Sequence, residues 1–328
     1  MVDQDRMARG PGDDMTFEGK SVAVVVPAFN EERLIATTIS TMPPFVDRIF
    51  VIDDASKDAT AERAKAVGDD RVTVITHRKN TGVGGAILDG HREVLREGYD
   101  ISVVMAGDAQ MPPAYLAALL TPLVSGEADF AKGNRFSDRE SMKGMPKIRV
   151  FGSVVLSLLT KIASGYWHLF DPQNGYTAIS RTVLEKIDFD EISSGYAFEN
   201  SLLIHANIVG ARAVDVPIPA VYGEEVSTMR LSTAGPAILW VLFVGFWKRI
   251  FRRHVSPVPT PVGLLVFGSL FAMVIGVGVG AFATWYSLGE DSASAGTVLL
   301  AVGSVLVGVQ LALVALVIDY QESRAQKK

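Results

Sequence analysis

An α/β domain on an open, mostly parallel sheet, followed by apolar helices that end in a two-helix hairpin, is the fold the sequence predicts. Three observations carry that reading. β-branched runs alternate with helical patterns from residue 21 to residue 124. Each of the first four runs ends in a polar or glycine-bearing cluster. Two long stretches in the last quarter are almost free of charge. Alternation of this kind places ligands beyond the carboxyl ends of the strands.

Residues 21–27 (SVAVVVP) form a continuous apolar run closed by proline, as a strand buried on both faces requires. Residues 31–41 then read as a helix, with Leu34, Ile35, Thr38 and Ile39 on one face. The cycle repeats as strand 48–52, helix 58–67, strand 72–76, helix 82–97, strand 101–105 and helix 113–124. At 151–162, Phe151, Val154, Val155, Leu158, Leu159 and Ile162 fall on one helical stripe. Core packing is the usual reason for such a stripe. Its flanks, Lys143, Lys147 and Arg149 before it and Tyr166 and Trp167 after it, instead favour a helix over about 149–164 lying in a headgroup plane. The segment 236–246 is apolar nearly all round, too short to span a bilayer, and bordered by Trp240 and Trp247. It reads as a second in-plane helix.

Residues 255–289 contain no Asp, Glu, Lys or Arg, and 292–318 have Gln310 as the one large polar side chain. Each exceeds the roughly 20 apolar residues a helix needs to cross a bilayer. Lys248, Arg249, Arg252, Arg253 and His254 precede the first stretch, Arg324, Lys327 and Lys328 follow the second, and Glu290 and Asp291 lie between them. By the positive-inside rule this is a two-helix, multi-pass protein of the cell membrane with its N-terminal domain in the cytoplasm. Gly276, Gly280, Gly303 and Gly308 would let the two helices approach closely. The expected division is a flexible tail at 1–18, an α/β domain at 19–235, an interfacial helix at 236–254, a hairpin at 255–320 and a basic tail at 321–328. The tail has no apolar core and is not a signal peptide. A net charge of −5 argues against a nucleic-acid binder, and the absence of Cys excludes a disulfide scaffold.

Four clusters follow the four strands: PAFNEE at 27–32, DDASKD at 53–58, HRKNTGVGGA at 77–86 and AGDAQMPP at 106–113. Singly, each has a plain explanation as a helix cap or a turn. Together they converge on one crevice. A dinucleotide-binding fold is excluded, because the glycines follow the third strand and Ile87 stands where the last glycine of the fingerprint belongs. No P-loop Gly-Lys-Ser/Thr is present.

The ordered set VVVPAFNEE, VIDDASKDAT, RKNTGVGGA and GDAQMPP resembles the GT-A (Rossmann-like) fold of family 2 glycosyltransferases, and more narrowly the polyprenyl-phosphate (dolichol- or undecaprenyl-phosphate) hexose synthases. The resemblance spans about residues 20–235, continuing through GNRF at 133–136, DPQNGYTAISR at 171–181, GYAFENSLLIHA at 195–206 and VSTMRLS at 226–232. It implies that Pro27, Phe29 and Glu31 wall the nucleotide, that Asp53 or Asp54 accepts from the base, and that Asn80 and Gly82 let the backbone pass close to the nucleoside. The family's Asp-x-Asp segment stands here as Ala106-Gly107-Asp108, leaving Asp108 and Gln110 as the metal contacts for Mg²⁺ or Mn²⁺. Arg135, Arg230 and Ser232 are implied as contacts of the acceptor or donor phosphates, with Arg230 also neutralising the leaving group. Asp171 and Glu199 would orient acceptor or sugar hydroxyls, or serve as a turn residue and a helix-start charge. His77, His91, His168 and His205 show no catalytic pattern and are taken as structural or surface residues.

The function expected is inverting transfer of a hexose from a nucleotide sugar, a UDP-sugar ahead of GDP-mannose, to a polyprenyl or dolichyl phosphate at the bilayer. Nucleic acid is not a partner, and a homo-oligomer is left open. The competing expectations are a family 2 transferase that extends a lipid-linked glycan, and a non-catalytic membrane scaffold with a degenerate transferase domain, for which Ala106 is the motive.

Overall fold

The computed structural model describes residues 16–135, 147–219, 231–289 and 292–325. The expected tail at 1–18 therefore lies almost wholly outside the described residues, as do Lys143, Arg230, Lys327 and Lys328 and the side chains of Lys147, Arg149, Phe151 and Ser232. The chain divides into two compact units, one ending at Gly245 and the other covering Phe246–Gln326.

The first unit is built on a seven-stranded sheet in the order β3-β2-β1-β4-β6-β5-β7. Its strands are β1 (Val22–Ala28), β2 (Arg48–Asp53), β3 (Val72–Thr76), β4 (Ile101–Val104), β5 (Phe130–Asn134), β6 (Thr177–Ser180) and β7 (Ala213–Pro217). Its helices are α1 (Ile35–Ser40), α2 (Thr60–Ala66), α3 (Val83–Glu97), α4 (Leu116–Val124), α5 (Lys147–Ser164), α6 (Arg181–Leu184) and α7 (Phe198–Ile208). Strand β6 runs antiparallel to β4 and β5, which the sequence does not predict, while β5 and β7 pair in parallel. The carboxyl ends of β1 to β5 and β7 therefore share one edge.

Strand β1 is buried along its whole length, and its alternate residues serve two cores. Val22, Val24 and Val26 pack with Ile35, Ile39, Leu116 and Leu119. Ala23 and Val25 pack with Phe50, Ile52, Ala86 and Val94. A Cβ on Gly90 would meet Val25 Cγ1 at 2.2 Å, so α3 lies on the sheet at a distance only glycine permits. The helix expected at 31–41 starts at Ile35, because the amides of Glu31 and Glu32 donate to Thr60 Oγ1 and Asp58 Oδ2 in the next loop. The helix expected at 113–124 opens as a 3₁₀ turn, Pro113–Tyr115.

Helix α5 exists, and its orientation decides the meaning of its stripe. Thr160 and Ser164, on the polar side, are buried, with Thr160 Oγ1 2.9 Å from Asn200 Oδ1 of α7. Val154, Val155 and Leu158 are exposed. Much of the apolar stripe thus faces outward, opposite to a core helix, while Leu159 and Ile162 are half-buried. Tyr166, expected in the headgroup plane, is instead core: it is 1 % exposed and its hydroxyl donates to the Ala211 carbonyl at 2.6 Å.

Helix α8 (Leu231–His254) continues unbroken through the segment expected as a short in-plane helix and crosses from one unit to the next. Within the first unit, Ile238 and Leu242 are buried while Leu239, Trp240, Phe243 and Val244 are exposed. The second unit contains the end of α8, α9 (Pro261–Tyr286) and α10 (Ala295–Ala325). Helices α9 and α10 are both long and apolar enough to cross a membrane, and only 22 % and 17 % of their most apolar windows are buried, unlike the core helices of a soluble protein. Arg249, 1 % exposed, donates to both oxygens of Asp319 at 2.7 and 3.1 Å, so its charge in the basic cluster before α9 is paired.

Two of the four candidate packing glycines lie at the contact of α9 and α10. A Cβ on Gly276 would stand 2.8 Å from the Ala301 carbonyl, and one on Gly308 would meet Met273 at 2.7 Å. Gly280 has ordinary spacing to Ala301, and Gly303 faces open space. Gly276→Leu and Gly308→Leu are expected to destabilise the hairpin by about 1–3 kcal/mol each, read as a lowered melting temperature in detergent. Gly303→Leu should leave that temperature unchanged.

Candidate functional site at the strand ends

The ends of β1, β2 and β4 are held in strained turns. Asn30, Ala55 and Ala109 have φ values of +58°, +60° and +56°, a region L-residues rarely occupy and one that collects at functional sites. The two alanines gave no sequence signal for such turns. The first two loops are tied together, since the Asn30 amide donates to Ser56 Oγ at 2.9 Å and Asn30 Oδ1 accepts from the Lys57 amide at 2.9 Å.

Asp54 fastens the third loop to them. Its carboxylate accepts from the Thr81 amide at 2.8 Å, the Thr81 hydroxyl at 3.0 Å and the Gly82 amide at 2.8 Å, and His77 Nδ1 lies 2.9 Å away. Asn80 adds a bond to the Asp54 carbonyl. Gly82 has φ +83°, and a Cβ on Gly84 would stand 2.7 Å from both Ser194 O and Phe198 Cβ. These glycines thus allow a loop to press onto the turn before α7.

The loops enclose a cleft of about 540 Å³ lined by Pro27, Phe29, Glu31, Asp54, Asn80, Gly82 and Asp108, all expected from the sequence. Ala28, Val83, Ala86, Ala106, Gly107, Gly195 and Tyr196 complete its lining. Tyr196, 51 % exposed, is an aromatic ring on this wall that motif reading quoted but gave no role. Asp53 does not line the cleft. It is buried, and Oδ1 accepts from the Ser56 amide at 3.2 Å, whereas Oδ2 has no hydrogen bond among the described residues. Of the two carboxylates left open by the sequence, Asp54 is occupied by the loop and Asp53 keeps an oxygen for another donor.

Asp108 lies in the fourth loop, with Oδ1 accepting from the Gln110 amide at 3.0 Å, and burial raises its pKa above the usual carboxylate value. The expected Gln110 ligand meets Asp108 through its backbone, and its side chain does not line the cleft. Among the described residues no three His, Cys, Asp or Glu side chains form a metal-binding group. Of the three carboxylates that line the cleft, Glu31, Asp54 and Asp108, Asp54 is taken up by the third loop and only Asp108 belongs to the expected metal segment, a donor set that suits a hard cation only if a bound diphosphate supplies further oxygens.

A second polar group stands along the same sheet edge, at the end of β5. Asp171, fully buried, accepts from Arg135 Nε at 2.7 Å, Nη2 at 3.1 Å and the Arg135 amide at 3.2 Å. Lys132, buried in β5, donates to the Asn174 carbonyl, and desolvation lowers its pKa to about 8 against the opposing pull of Glu199, Asp171 and Asp215. Glu199, in the first turn of α7, has its pKa raised by burial. Arg230 lies outside the described residues, as does the side chain of Ser232. The four histidines have structural partners: His77 with Asp54, His91 with Ser102, His168 with the Ala213 carbonyl and His205 with the Ser201 carbonyl.

A family model described as glycosyl transferase family 2 matches residues 23–188. The chain is 34 % identical over 239 residues to the polyprenol monophosphomannose synthase of Mycolicibacterium smegmatis, covering 70 % of this chain and 89 % of that protein. It is 28 % identical over 220 residues to the UDP-N-acetylglucosamine–dolichyl-phosphate N-acetylglucosaminyltransferase of Methanococcus voltae, covering 62 % and 87 %. The fold is similar, with a TM-score of 0.55 and 24 % identity, to glucosyl-3-phosphoglycerate synthase of Mycobacterium tuberculosis, covering 70 % of this chain and 81 % of that one.

Asp54→Ala removes the acceptor for three N–H and O–H donors at once, and should cost about 2–4 kcal/mol of stability. Asp53→Asn, which touches one bond, should cost about 1 kcal/mol or less. Chemical denaturation of the two variants in detergent checks the difference.

Proposed function

Because the chain belongs to glycosyl transferase family 2 and is therefore a glycosyltransferase, we propose that it moves a hexose, with inversion, from a nucleotide sugar to a polyprenyl or dolichyl phosphate, its catalytic domain on the cytoplasmic face of the membrane. The observation that carries this reading is the placement of the strand-end cleft and the Arg135–Asp171 pair on one sheet edge, in a chain whose α5 turns much of its apolar stripe outward. The printed names of the Mycolicibacterium and Methanococcus relatives, both polyprenyl- or dolichyl-phosphate enzymes, support the acceptor.

In this reading Pro27 and Phe29 wall the nucleoside, and Asp53, with an open oxygen, or Asp54, in the cleft lining, accepts from a base N–H. Asp108, together with the donor diphosphate, would hold Mg²⁺ or Mn²⁺. The ion, when bound, neutralises charge on the departing diphosphate. Arg135, aimed by Asp171, receives the acceptor phosphate through its guanidinium. An acceptor phosphate oxygen forms the new bond to the anomeric carbon while the bond to the diphosphate breaks, releasing the nucleoside diphosphate. That oxygen is already largely anionic near neutral pH. No strong general base is needed, which agrees with four histidines engaged in structural bonds. Glu199, in the first turn of α7, is assigned to orient sugar or acceptor hydroxyls.

Membranes containing the protein, supplied with polyprenyl phosphate and a panel of UDP- and GDP-sugars, should yield a mild-acid-labile lipid monophosphate sugar. A lengthened glycan as the product would overturn the reading. Asp108→Asn should lower turnover by about 100-fold or more at saturating metal. The chain has no native Cys, so single cysteines report topology directly. A membrane-impermeant maleimide should label Glu290→Cys in intact cells and leave Lys248→Cys unlabelled until the cells are opened.

A further inference from the structure

Asp215 lies in the middle of β7, outside the cleft. Its Oδ2 accepts from the Phe170 amide at 2.5 Å and from Asn134 Nδ2 at 3.3 Å. Those partners have a common property: Asn134 immediately precedes Arg135, and Phe170 immediately precedes Asp171. One carboxylate on β7 therefore grips the chain just before each member of the ion pair. Asp171 closes the same gap from the other side, through three N–H groups of Arg135.

The arrangement is costly for a residue that only filled space. Asp215 Oδ1 is buried with no hydrogen-bond partner among the described residues, a loss that buried polar atoms seldom bear. The charged groups facing Asp215 are Lys132 from β5, Lys161 from α5 and Asp171 from the loop before β6. Burial outweighs the two lysines and pushes its pKa up to about 6. Above that pH the carboxylate accepts both N–H bonds. Below it the acid accepts more weakly and carries a proton with no acceptor beside Oδ1.

Resting on the reading that Arg135 receives the acceptor phosphate, we propose that Asp215 is a positioning residue for the acceptor: it holds Asn134 and Phe170 so that the Arg135–Asp171 pair presents its guanidinium to the lipid phosphate. It touches neither substrate. Its effect reaches the acceptor through the ion pair and leaves the donor cleft, built by other strand ends, unaffected.

The test uses the full chain in phospholipid vesicles, with KM measured separately for polyprenyl phosphate and for the nucleotide sugar. Asp215→Ala should raise the acceptor KM by about tenfold or more, as a misplaced binding group does, with the donor KM changed less than about twofold. Asp215→Asn provides the second readout and decides alone if the alanine variant does not fold. The wild-type acceptor KM should rise more steeply than that of Asp215→Asn as pH falls through 6. The second ionisation of the acceptor phosphate, also near pH 6, is common to both proteins and drops out of the comparison. Equal rises in both KM values, or superimposable pH profiles, would overturn the proposal. Arg135→Ala separates this failure from that of the underlying reading. If it leaves the acceptor KM unchanged, the phosphate assignment falls; if it raises that KM while both Asp215 variants stay at wild-type values, only the positioning role falls.

Discussion

The cleft depends on one buried carboxylate. Parallel strands bring their ends to a common edge, yet nothing in a sheet dictates what the loops beyond that edge do. Asp54 supplies the constraint by binding the Thr81 and Gly82 amides from the end of β2, with the Asn30–Ser56–Lys57 bonds fixing the neighbouring loop. An ionised acceptor with several short N–H partners is among the stronger arrangements available to a protein. It converts three separate turns into one wall. The positive φ values of Asn30 and Ala55 lie in the turns that make this wall, and Ala109 adds a third in the fourth loop.

A second constraint sits at the other end of the sheet and works by opposite means. There Lys132, Arg135, Asp171, Glu199 and Asp215 gather about β5 and β7 with mixed charge, and one Asp215 oxygen has no hydrogen-bond partner among the described residues. On the proposed function, the donor side is thus held by the bonds of Asp54 and the acceptor side is electrostatically poised. This division suits a reaction in which one substrate arrives from water and the other from a membrane.

Much of the fold was legible because its signals are local. The SVAVVVP run could only be a strand buried on both faces, and the four polar clusters fell where an α/β sheet would use them, seven of the expected residues lining the cleft. What could not be read was set by distant partners. Strand β6, TAIS, is too short to declare its direction, and its antiparallel pairing follows from its neighbours. The choice between Asp53 and Asp54 rests on which of them the third loop occupies. The α5 stripe was legible as a stripe, but which side met the core was decided by Asn200, 40 residues on, receiving Thr160. Asp215 stands within an ordinary strand sequence, VDVP, and only its neighbours in space give it meaning.

The Arg249–Asp319 pair has a bearing on how the molecule is made. Its partners are 70 residues apart in the chain. During synthesis the guanidinium of Arg249 emerges long before the carboxylate that satisfies it, and a buried charge without its partner is strongly unfavourable. The end of α8 cannot take its final surroundings until α10 has been added. The sheet that carries the cleft, complete by Pro217, has no such wait. Chain order therefore lets the sheet domain form first and closes the helical junction last, with α10 as the latch of assembly.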